Sequence, residues 1–293
     1  MGMSSIERAI RLLPMPAKSG AKAVRHVCDP LFVKAYRAQD NDERPIPPGA
    51  MRTRSGTGNV RTYVRGGEHT ADSLETAVAT TGRSFNDLPS VLDWGCGAGR
   101  VIGHLIRRHA DHTNFSGSDV DSEAIDWAQA HFPQATFRVN NATPPLPFGN
   151  ASFACVYSIS ILTHLDEELQ NLWLTDIDRV LAPGGIALLS VHGEHAFSEY
   201  KSGKMVSNSR SCARRMAVHG SLDDEKFIHE PYVRSVWNNR DFPGVDDRFG
   251  LAFHSRDYIF EKWSRFFEVV DVLPAAITNW QDLAVLRKRP GAN

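Results

Sequence analysis

A glycine-rich turn constrains the fold of this chain more than any other feature. In Ser90–Arg100, the apolar residues Val91 and Leu92 lead into Asp93, three alternating glycines follow, and the amphipathic run 101–106 comes next. This order predicts a β-strand, a tight turn and the first turn of a helix. Because glycine has no Cβ, such a turn lets backbone N–H groups approach a bound molecule closely.

A second acidic residue narrows the choice of ligand. Residues 114–119 read as a strand that ends in Asp119, whose carboxylate could accept hydrogen bonds from both ribose hydroxyls of an adenosine. This arrangement fits NAD as well as S-adenosylmethionine. The glycines, however, are spaced G-x-G-x-G, whereas the dinucleotide fingerprint is G-x-G-x-x-G.

Segments further along the chain favour S-adenosylmethionine. Asn141–Phe148 precedes the apolar run Ser152–Ser158, and Arg179–Gly185 follows beyond His164. Together with the glycine turn, these segments resemble the class I S-adenosylmethionine-dependent methyltransferase family. The resemblance covers roughly Val91 to Val191 and resumes at the C-terminus. Four motifs in the same order are specific, although any one alone would not be.

The resemblance implies a set of cofactor-binding residues. The glycines would approach the methionine portion, Asp93 would help to hold its amino group, Asp119 would bind the ribose and Val120 would lie along the adenine. The full set is Asp93, Gly95, Cys96, Gly97, Gly99, Arg100, Asp119, Val120, Asn141, Ala142 and Ser158.

One position departs from the family pattern. Asn141 and Ala142 would meet the adenine edge, where the family often has Asp in place of Asn141. An amide oxygen still accepts a hydrogen bond from the adenine amino group, but it carries no charge. We therefore expect cofactor binding to be weakened rather than lost.

Apolar strands alternate with helices over most of the chain, which predicts a parallel sheet covered on both faces. We expect an α/β fold, a Rossmann-like, mostly parallel sheet of seven strands that closes with an antiparallel C-terminal hairpin. The expected domains are an N-terminal helical arm and linker over residues 1–67 and a methyltransferase domain over residues 68–293. Residues 196–253 interrupt the alternation, and we interpret them as a cap over the acceptor.

The N-terminal arm has a basic character. Residues 1–37 carry seven Lys or Arg against two acidic residues. The arm could be an interfacial helix that contacts anionic lipid, or a lid or homodimer arm with a solvated basic face. Arg52, Arg54 and Arg61 beyond it are candidates for binding a carboxylate, or else belong to a solvated loop.

The composition of the chain limits the binding partners and the cellular compartment that we expect for it. The net charge is -1, hydrophobic residues make up 42% of the chain, and the four cysteines show no C-x-x-C spacing. We therefore expect no nucleic-acid partner, no metal site and no disulfide framework. Because we find neither an apolar run of membrane-spanning length nor a signal-peptide core, we expect a cytoplasmic protein with no integral membrane segment.

Two histidines are candidates for catalysis. His192 follows the predicted fifth strand and His164 follows the fourth, so both should lie at the edge of the crevice. Methyl transfer to a hydroxyl requires removal of its proton, and histidine has a suitable pKa. We favour His192 as the base, whereas His164 could equally make a structural hydrogen bond. Glu194 and His195 follow His192, but alternating side chains of an extended segment would point apart, which argues against a metal site.

The function that the sequence favours is transfer of a methyl group from S-adenosylmethionine to a small molecule or glycan, most readily at a hydroxyl. The chain resembles bacterial methyltransferases of sugar and secondary-metabolite pathways. The alternatives are N- or C-methylation of a metabolite or protein, a methyltransferase that acts on nucleic acid, a non-catalytic protein that binds S-adenosylmethionine, and an NAD-linked oxidoreductase. Titration with S-adenosylmethionine against NAD separates the last of these from the others.

Overall fold

The computed structural model describes residues 29–40, 43–203, 215–232 and 248–291. The part of the predicted N-terminal helical arm at 1–28, and the parts of the predicted cap at 204–214 and 233–247, lie outside the described residues. The chain divides into two compact units between Arg65 and Gly66. None of the described helices is both long and apolar enough to cross a membrane.

The first unit contains helices α1 (Asp29–Asp40) and α2 (Gly49–Arg54) and the start of α3 (Val60–Ala79). Its centre is a buried ion pair, in which Arg52 Nη2 lies 2.5 Å from Asp29 Oδ1. The same guanidinium donates to the carbonyl oxygens of Pro47 at 2.5 Å and Gly58 at 2.8 Å. Each of these contacts satisfies part of a charge that would be costly to bury alone.

These contacts correct two expectations from the sequence. Arg52 is neither in a solvated loop nor directed at a ligand carboxylate, because helix α2 buries it against Asp29. Arg61 pairs with Asp40 at 2.7 Å. The sequence pattern predicts a helix over Glu68–Gly82, whereas helix α3 already begins at Val60, where Val60, Tyr63 and Val64 form an apolar face.

The second unit contains the sheet. In chain order, its remaining elements are β1 (Ser90–Trp94), α4 (Ile102–His109), β2 (Asn114–Asp119), α5 (Ser122–His131), β3 (Ala135–Val139), β4 (Phe153–Ser158), α6 (Glu167–Val180), β5 (Leu181–Val191), α7 (Glu194–Lys201), α8 (Leu222–Glu225), β6 (Phe227–Pro231), β7 (Gly250–His254), α9 (Arg256–Lys262), β8 (Glu268–Ile277) and β9 (Gln281–Arg287). A 3₁₀ turn at Leu162–His164 follows β4.

The seven-stranded sheet has the order β3-β2-β1-β4-β5-β9-β8. The first five strands in the chain pair in parallel, whereas β9 runs antiparallel to both β5 and β8. The predicted fold class is therefore confirmed, including the closing antiparallel strands. The chain moves outward from β1 through β2 to β3 and then returns to β4 on the other side of β1. This reversal opens a crevice at the carboxyl ends of β1 and β4.

Alternate residues of the central strands face two separate hydrophobic cores. Val91 packs into one core with helix α4, and its neighbour Leu92 packs into the other with helix α6. The first core also holds Leu74 and Val78 of α3. Because both faces of the sheet are covered, the polar residues that the sheet presents to a ligand lie at its strand ends.

The predicted cap contributes a second, smaller sheet. Strands β6 and β7 pair antiparallel, from Phe227 opposite His254 to Pro231 opposite Gly250. Strand β7 also contacts the end of β5, because the backbone N–H of His254 donates to the carbonyl of His192 at 2.9 Å. This contact brings the two-stranded sheet to the edge of the crevice.

Candidate functional site

The glycine turn adopts backbone angles that L-residues rarely adopt. Gly95, Gly97 and Gly99 have φ values of 82°, 50° and 77°. A Cβ would lie 2.5 Å from the side chain of Ile161 at Gly95 and 2.6 Å from the ring of Phe132 at Gly99. The turn therefore requires glycine for conformation and for space, as its spacing predicted.

Helix α3 supports this turn from outside. A Cβ at Gly67 would lie 2.2 Å from the carbonyl oxygen of Arg100, so the helix backbone packs directly on the turn. The adjacent Gly66 has open space around it. No pattern in the sequence indicated this close approach.

Asp119 ends β2 beside the turn. Its carboxylate accepts hydrogen bonds from the backbone N–H of Gly97 at 2.7 Å and of Asp121 at 2.9 Å. Burial raises the pKa of Asp119, and these two hydrogen bonds oppose the increase. Val120 is half-buried next to it. The acid predicted to bind ribose is thus tied to the glycine turn.

Asp93 ends the apolar part of β1 and is buried. Its Oδ2 accepts a hydrogen bond from Tyr157 Oη at 2.8 Å. Burial raises the pKa of Asp93 to about 7, the Tyr157 hydrogen bond opposes this, and the nearby charge of Asp119 adds to it. Two acids therefore share one end of the sheet, and a cation placed between them would stabilise both in the ionised form.

Two other residues that the sequence assigned to the cofactor, Cys96 and Ser158, are buried and contribute to the packing of the sheet. The thiol of Cys96 is buried, which raises its pKa well above the usual value. Ser158 is buried at the end of β4, and its hydroxyl donates to the carbonyl of Trp94 at 2.8 Å. That bond links β4 to β1 across the point where the strand order reverses.

Asn140 is a candidate site residue that was not predicted from the sequence. Asn141 and Ala142, the predicted residues, are exposed and half-buried, respectively. Asn140 is buried, and its Oδ1 has no hydrogen-bond partner among the described residues. Its backbone N–H donates to the carbonyl of Asp119 at 3.0 Å, so it lies beside the ribose candidate. A buried amide oxygen without a partner is a ready acceptor for a ligand donor.

His192 follows β5 and is buried. Its Nδ1 lies 3.2 Å from the carbonyl oxygen of Ala252 in β7. Burial lowers the pKa of His192 to about 3, and His164 lowers it further by charge repulsion. The ring is therefore neutral at physiological pH. Since a carbonyl only accepts, the proton is on Nδ1 and the lone pair is on Nε2.

His164 lies in the 3₁₀ turn after β4, and its ring centroid is 6.3 Å from that of His192. Its Nδ1 lies 2.6 Å from Tyr232 Oη and 3.2 Å from the carbonyl oxygen of Gly250. Burial lowers its pKa, and the Gly250 contact opposes that change. The structure thus brings the two predicted histidines together at the ends of β4 and β5.

Aromatic rings surround this pair, and none of them was assigned to the site from the sequence. The rings of Tyr200, Phe253 and Trp280 have centroids 5.6, 5.3 and 6.2 Å from that of His192. Trp280 comes from the turn between β8 and β9, and Tyr200 comes from α7. These apolar surfaces would exclude water from the histidines.

Glu194 and His195 differ from expectation in their local structure. They begin helix α7, whereas the sequence predicted an extended segment there. Within the described ranges, no group of three or more His, Cys, Asp or Glu side chains could hold a metal ion.

Comparison with known proteins finds a matching family and several similar proteins. Residues 91–185 match the family described as Methyltransferase domain. The chain is 33% identical over 125 residues to O-methyltransferase rstn1 of Aspergillus nomiae, a match that covers 39% of this chain and 53% of that protein. It is 34% identical over 100 residues to O-methyltransferase resE of Aspergillus sclerotiorum, covering 32% and 36%. The chain thus spans about half, or less, of the length of these curated relatives.

A solved structure of an S-adenosylmethionine-dependent methyltransferase from Methanosarcina mazei has a TM-score of 0.45 with this chain at 20% sequence identity. That alignment covers 69% of this chain and 92% of the other.

Proposed function

Because this chain contains a domain of the class I S-adenosylmethionine-dependent methyltransferase family, we propose that it moves a methyl group from S-adenosylmethionine to a hydroxyl oxygen of a small-molecule or glycan acceptor. Two curated relatives are named O-methyltransferases, which supports oxygen as the acceptor atom. The observation that carries the proposal is the histidine pair, buried His192 and half-buried His164, at the ends of β5 and β4, the two strands that follow β1 in the sheet.

The residues at the crevice fit this cofactor. Asn140 offers a buried amide oxygen without a partner among the described residues, and the turn at Gly95, Gly97 and Gly99 has no Cβ between its backbone and a bound molecule. Asp93 and Asp119 supply negative charge for a ligand that carries a sulfonium and an ammonium group. We assign Asp93 to the ammonium group, Asp119 to the ribose and Asn140, alongside the predicted Asn141, to the adenine edge.

Held by Asp93, Asp119 and Asn140, S-adenosylmethionine would supply an electrophilic methyl group for the acceptor oxygen, with its sulfur as the leaving group. The protein's own contribution is position, a dry site and a route for the proton. The apolar rings around His192 exclude water. Nε2 of His192 takes the hydroxyl proton and later releases it to solvent.

A histidine with a low pKa can do this because the acidity of the acceptor changes during the reaction. An oxygen that is gaining a third bond develops positive charge and becomes far more acidic than the parent hydroxyl. A neutral imidazole therefore accepts the proton late in the step. A poorer match between the pKa and the operating pH limits the rate gain from proton transfer, which is typically about 10²–10⁴-fold.

The test is single-turnover methyl transfer by His192→Ala with cofactor affinity measured separately. We expect the rate to fall by about 10²-fold, the lower end of the typical range because the pKa of His192 lies far from the operating pH, while cofactor affinity changes little. His112→Ala, at an exposed histidine before β2, is the control and should react at the wild-type rate. If His192→Ala reacts normally and His164→Ala is inactive, the base is His164. If both react normally, the acceptor atom needs no base, and a nitrogen acceptor replaces the hydroxyl.

A further inference from the structure

The two histidines differ in what holds their Nδ1 atoms. Strand β7 presents the carbonyls of Gly250 and Ala252, two residues apart, each 3.2 Å from one histidine Nδ1. Residues two apart in a strand direct their carbonyls to the same side, so one strand edge serves both rings. If these carbonyls were the only contacts, both histidines would carry the proton on Nδ1.

His164 differs from His192 because Tyr232 also contacts its Nδ1. Its hydroxyl lies 2.6 Å from Nδ1 of His164, much closer than the Gly250 carbonyl at 3.2 Å. A carbonyl only accepts a hydrogen bond, whereas a tyrosine hydroxyl also donates. If Tyr232 donates over the shorter contact, Nδ1 of His164 carries the lone pair and the proton of His164 is on Nε2.

The resulting pair is complementary. His192 has a lone pair on Nε2, because its Nδ1–H donates to Ala252. With Tyr232 as the donor to its Nδ1, His164 has a proton on Nε2. No described residue forms a hydrogen bond to Nε2 of either ring. A hydroxyl group needs both kinds of partner, one to accept its proton and one to donate to its oxygen.

We propose that Tyr232 is a positioning residue that fixes His164 in the Nε2–H form, so that His164 donates a hydrogen bond to the same acceptor oxygen that His192 deprotonates. This inference rests on the function proposed above. It assigns different roles to the two histidines, and it selects an acceptor with a hydroxyl that both can reach. It also gives the predicted cap a role, because Tyr232 follows β6 and its backbone N–H donates to the carbonyl of Phe249 at 3.0 Å.

The direct test is NMR of the full-length, ¹⁵N-labelled protein without cofactor or acceptor. Two-bond nitrogen–proton spectra distinguish Nδ1–H from Nε2–H, and His164→Gln and His192→Gln assign the signals. We expect Nε2–H for His164 and Nδ1–H for His192. In Tyr232→Phe, His164 should change to Nδ1–H, because the Gly250 carbonyl is then its only described partner. An Nδ1–H form of His164 in the wild type, or no change in Tyr232→Phe, would overturn the proposal.

A matched variant controls for loss of a tyrosine hydroxyl elsewhere. Tyr258 Oη also donates over 2.6 Å, but to Glu167. Tyr258→Phe should leave both tautomers and the acceptor kinetics unchanged. Tyr232→Phe should lower kcat/KM for the acceptor about tenfold, as for one lost hydrogen bond, with cofactor affinity unchanged.

The experiments can contradict the tautomer assignment and the proposed methyl transfer independently of each other. If the wild type shows the expected tautomers but binds no S-adenosylmethionine, the proposed function is wrong while the role of Tyr232 in setting the tautomer stands. If methyl transfer occurs with His164 in the Nδ1–H form, the function stands and the role of Tyr232 is wrong.

Discussion

At the scale of single residues, Asp93 links cofactor binding to pH. Burial raises its pKa to about 7, so in the free protein it is largely protonated below that pH. A ligand with positive charge favours the ionised form, and its binding must therefore release a proton at lower pH. Below pH 7, we expect the affinity for S-adenosylmethionine to decrease as the pH decreases, with a slope that approaches about tenfold per pH unit. Above pH 7, the affinity should level off. Calorimetry from pH 5.5 to 8.5 measures this directly.

Asp93→Asn provides the control for this pH dependence. An amide does not titrate, so binding by the variant should be weaker and nearly independent of pH over the same range. The stability of the protein without cofactor should change with pH in the opposite direction to the affinity. Because the pKa of Asp93 is raised from 3.8 to about 7 on folding, its contribution to stability without cofactor is lost as pH rises through that interval. A pH-independent affinity of the wild type would contradict the role of Asp93.

Asp119 carries a separate prediction. Asp119→Ala should weaken cofactor binding by about 1.5–3 kcal/mol, as for loss of a charged hydrogen-bond acceptor. Asp111→Ala, at an exposed acid before the same strand, is the control and should bind normally. Calorimetric titration of both variants measures the difference. Wild-type affinity in Asp119→Ala would rule out the ribose assignment.

Some of these residues could be identified from the sequence and others could not, for a physical reason. Asp93 and Asp119 were assigned to the site from the sequence because each lies at the end of a predicted strand. Asn140 was missed in favour of Asn141, because side chains alternate along a strand and a shift of one residue exchanges a buried position for an exposed one. Tyr232 and Gly250 contact His164 although they lie 68 and 86 residues away from it in the sequence. No local pattern encodes that pairing.

At the scale of elements, the contact between helix α3 and the glycine turn yields a paired test. A methyl group at Gly67 would lie 2.2 Å from the carbonyl oxygen of Arg100, whereas one at Gly66 would meet nothing within 4 Å. Gly67→Ala should destabilise the protein by about 1–3 kcal/mol, as for overpacking, and weaken cofactor binding. Gly66→Ala should stabilise the helix by up to about 1 kcal/mol. Thermal or urea unfolding of the two variants compares these outcomes.

Equal stability of the Gly66 and Gly67 variants would show that α3 does not rest on the turn. The start of this helix was also predicted too late in the chain. Val60, Tyr63 and Val64 have helical spacing, but the helix was predicted to begin only at Glu68, after the pair Gly66–Gly67. Close packing on Arg100 gives Gly67 a reason to be glycine within a helix. The parallel character of the sheet and its closing antiparallel strands, by contrast, were predicted from the alternation of apolar strands and helices together with the family resemblance.

At the scale of the whole molecule, we propose that the second unit alone binds the cofactor. All the residues assigned to the cofactor lie between Asp93 and Ser158, within the unit that begins at Gly66. A protein comprising residues 66–293 should therefore fold and bind S-adenosylmethionine within about threefold of the full chain, which is less than 1 kcal/mol. We expect its acceptor turnover to fall. Failure of this variant to fold would show that the first unit is part of the core.

The central claim is that the crevice at the glycine turn binds S-adenosylmethionine. The most direct measurement is a calorimetric titration of the full-length protein with S-adenosylmethionine, followed by the same titration with NAD. We predict saturable binding of one S-adenosylmethionine per chain and no heat of binding with NAD. Binding of NAD, or no binding of S-adenosylmethionine at pH 8, where Asp93 is ionised, would contradict that claim.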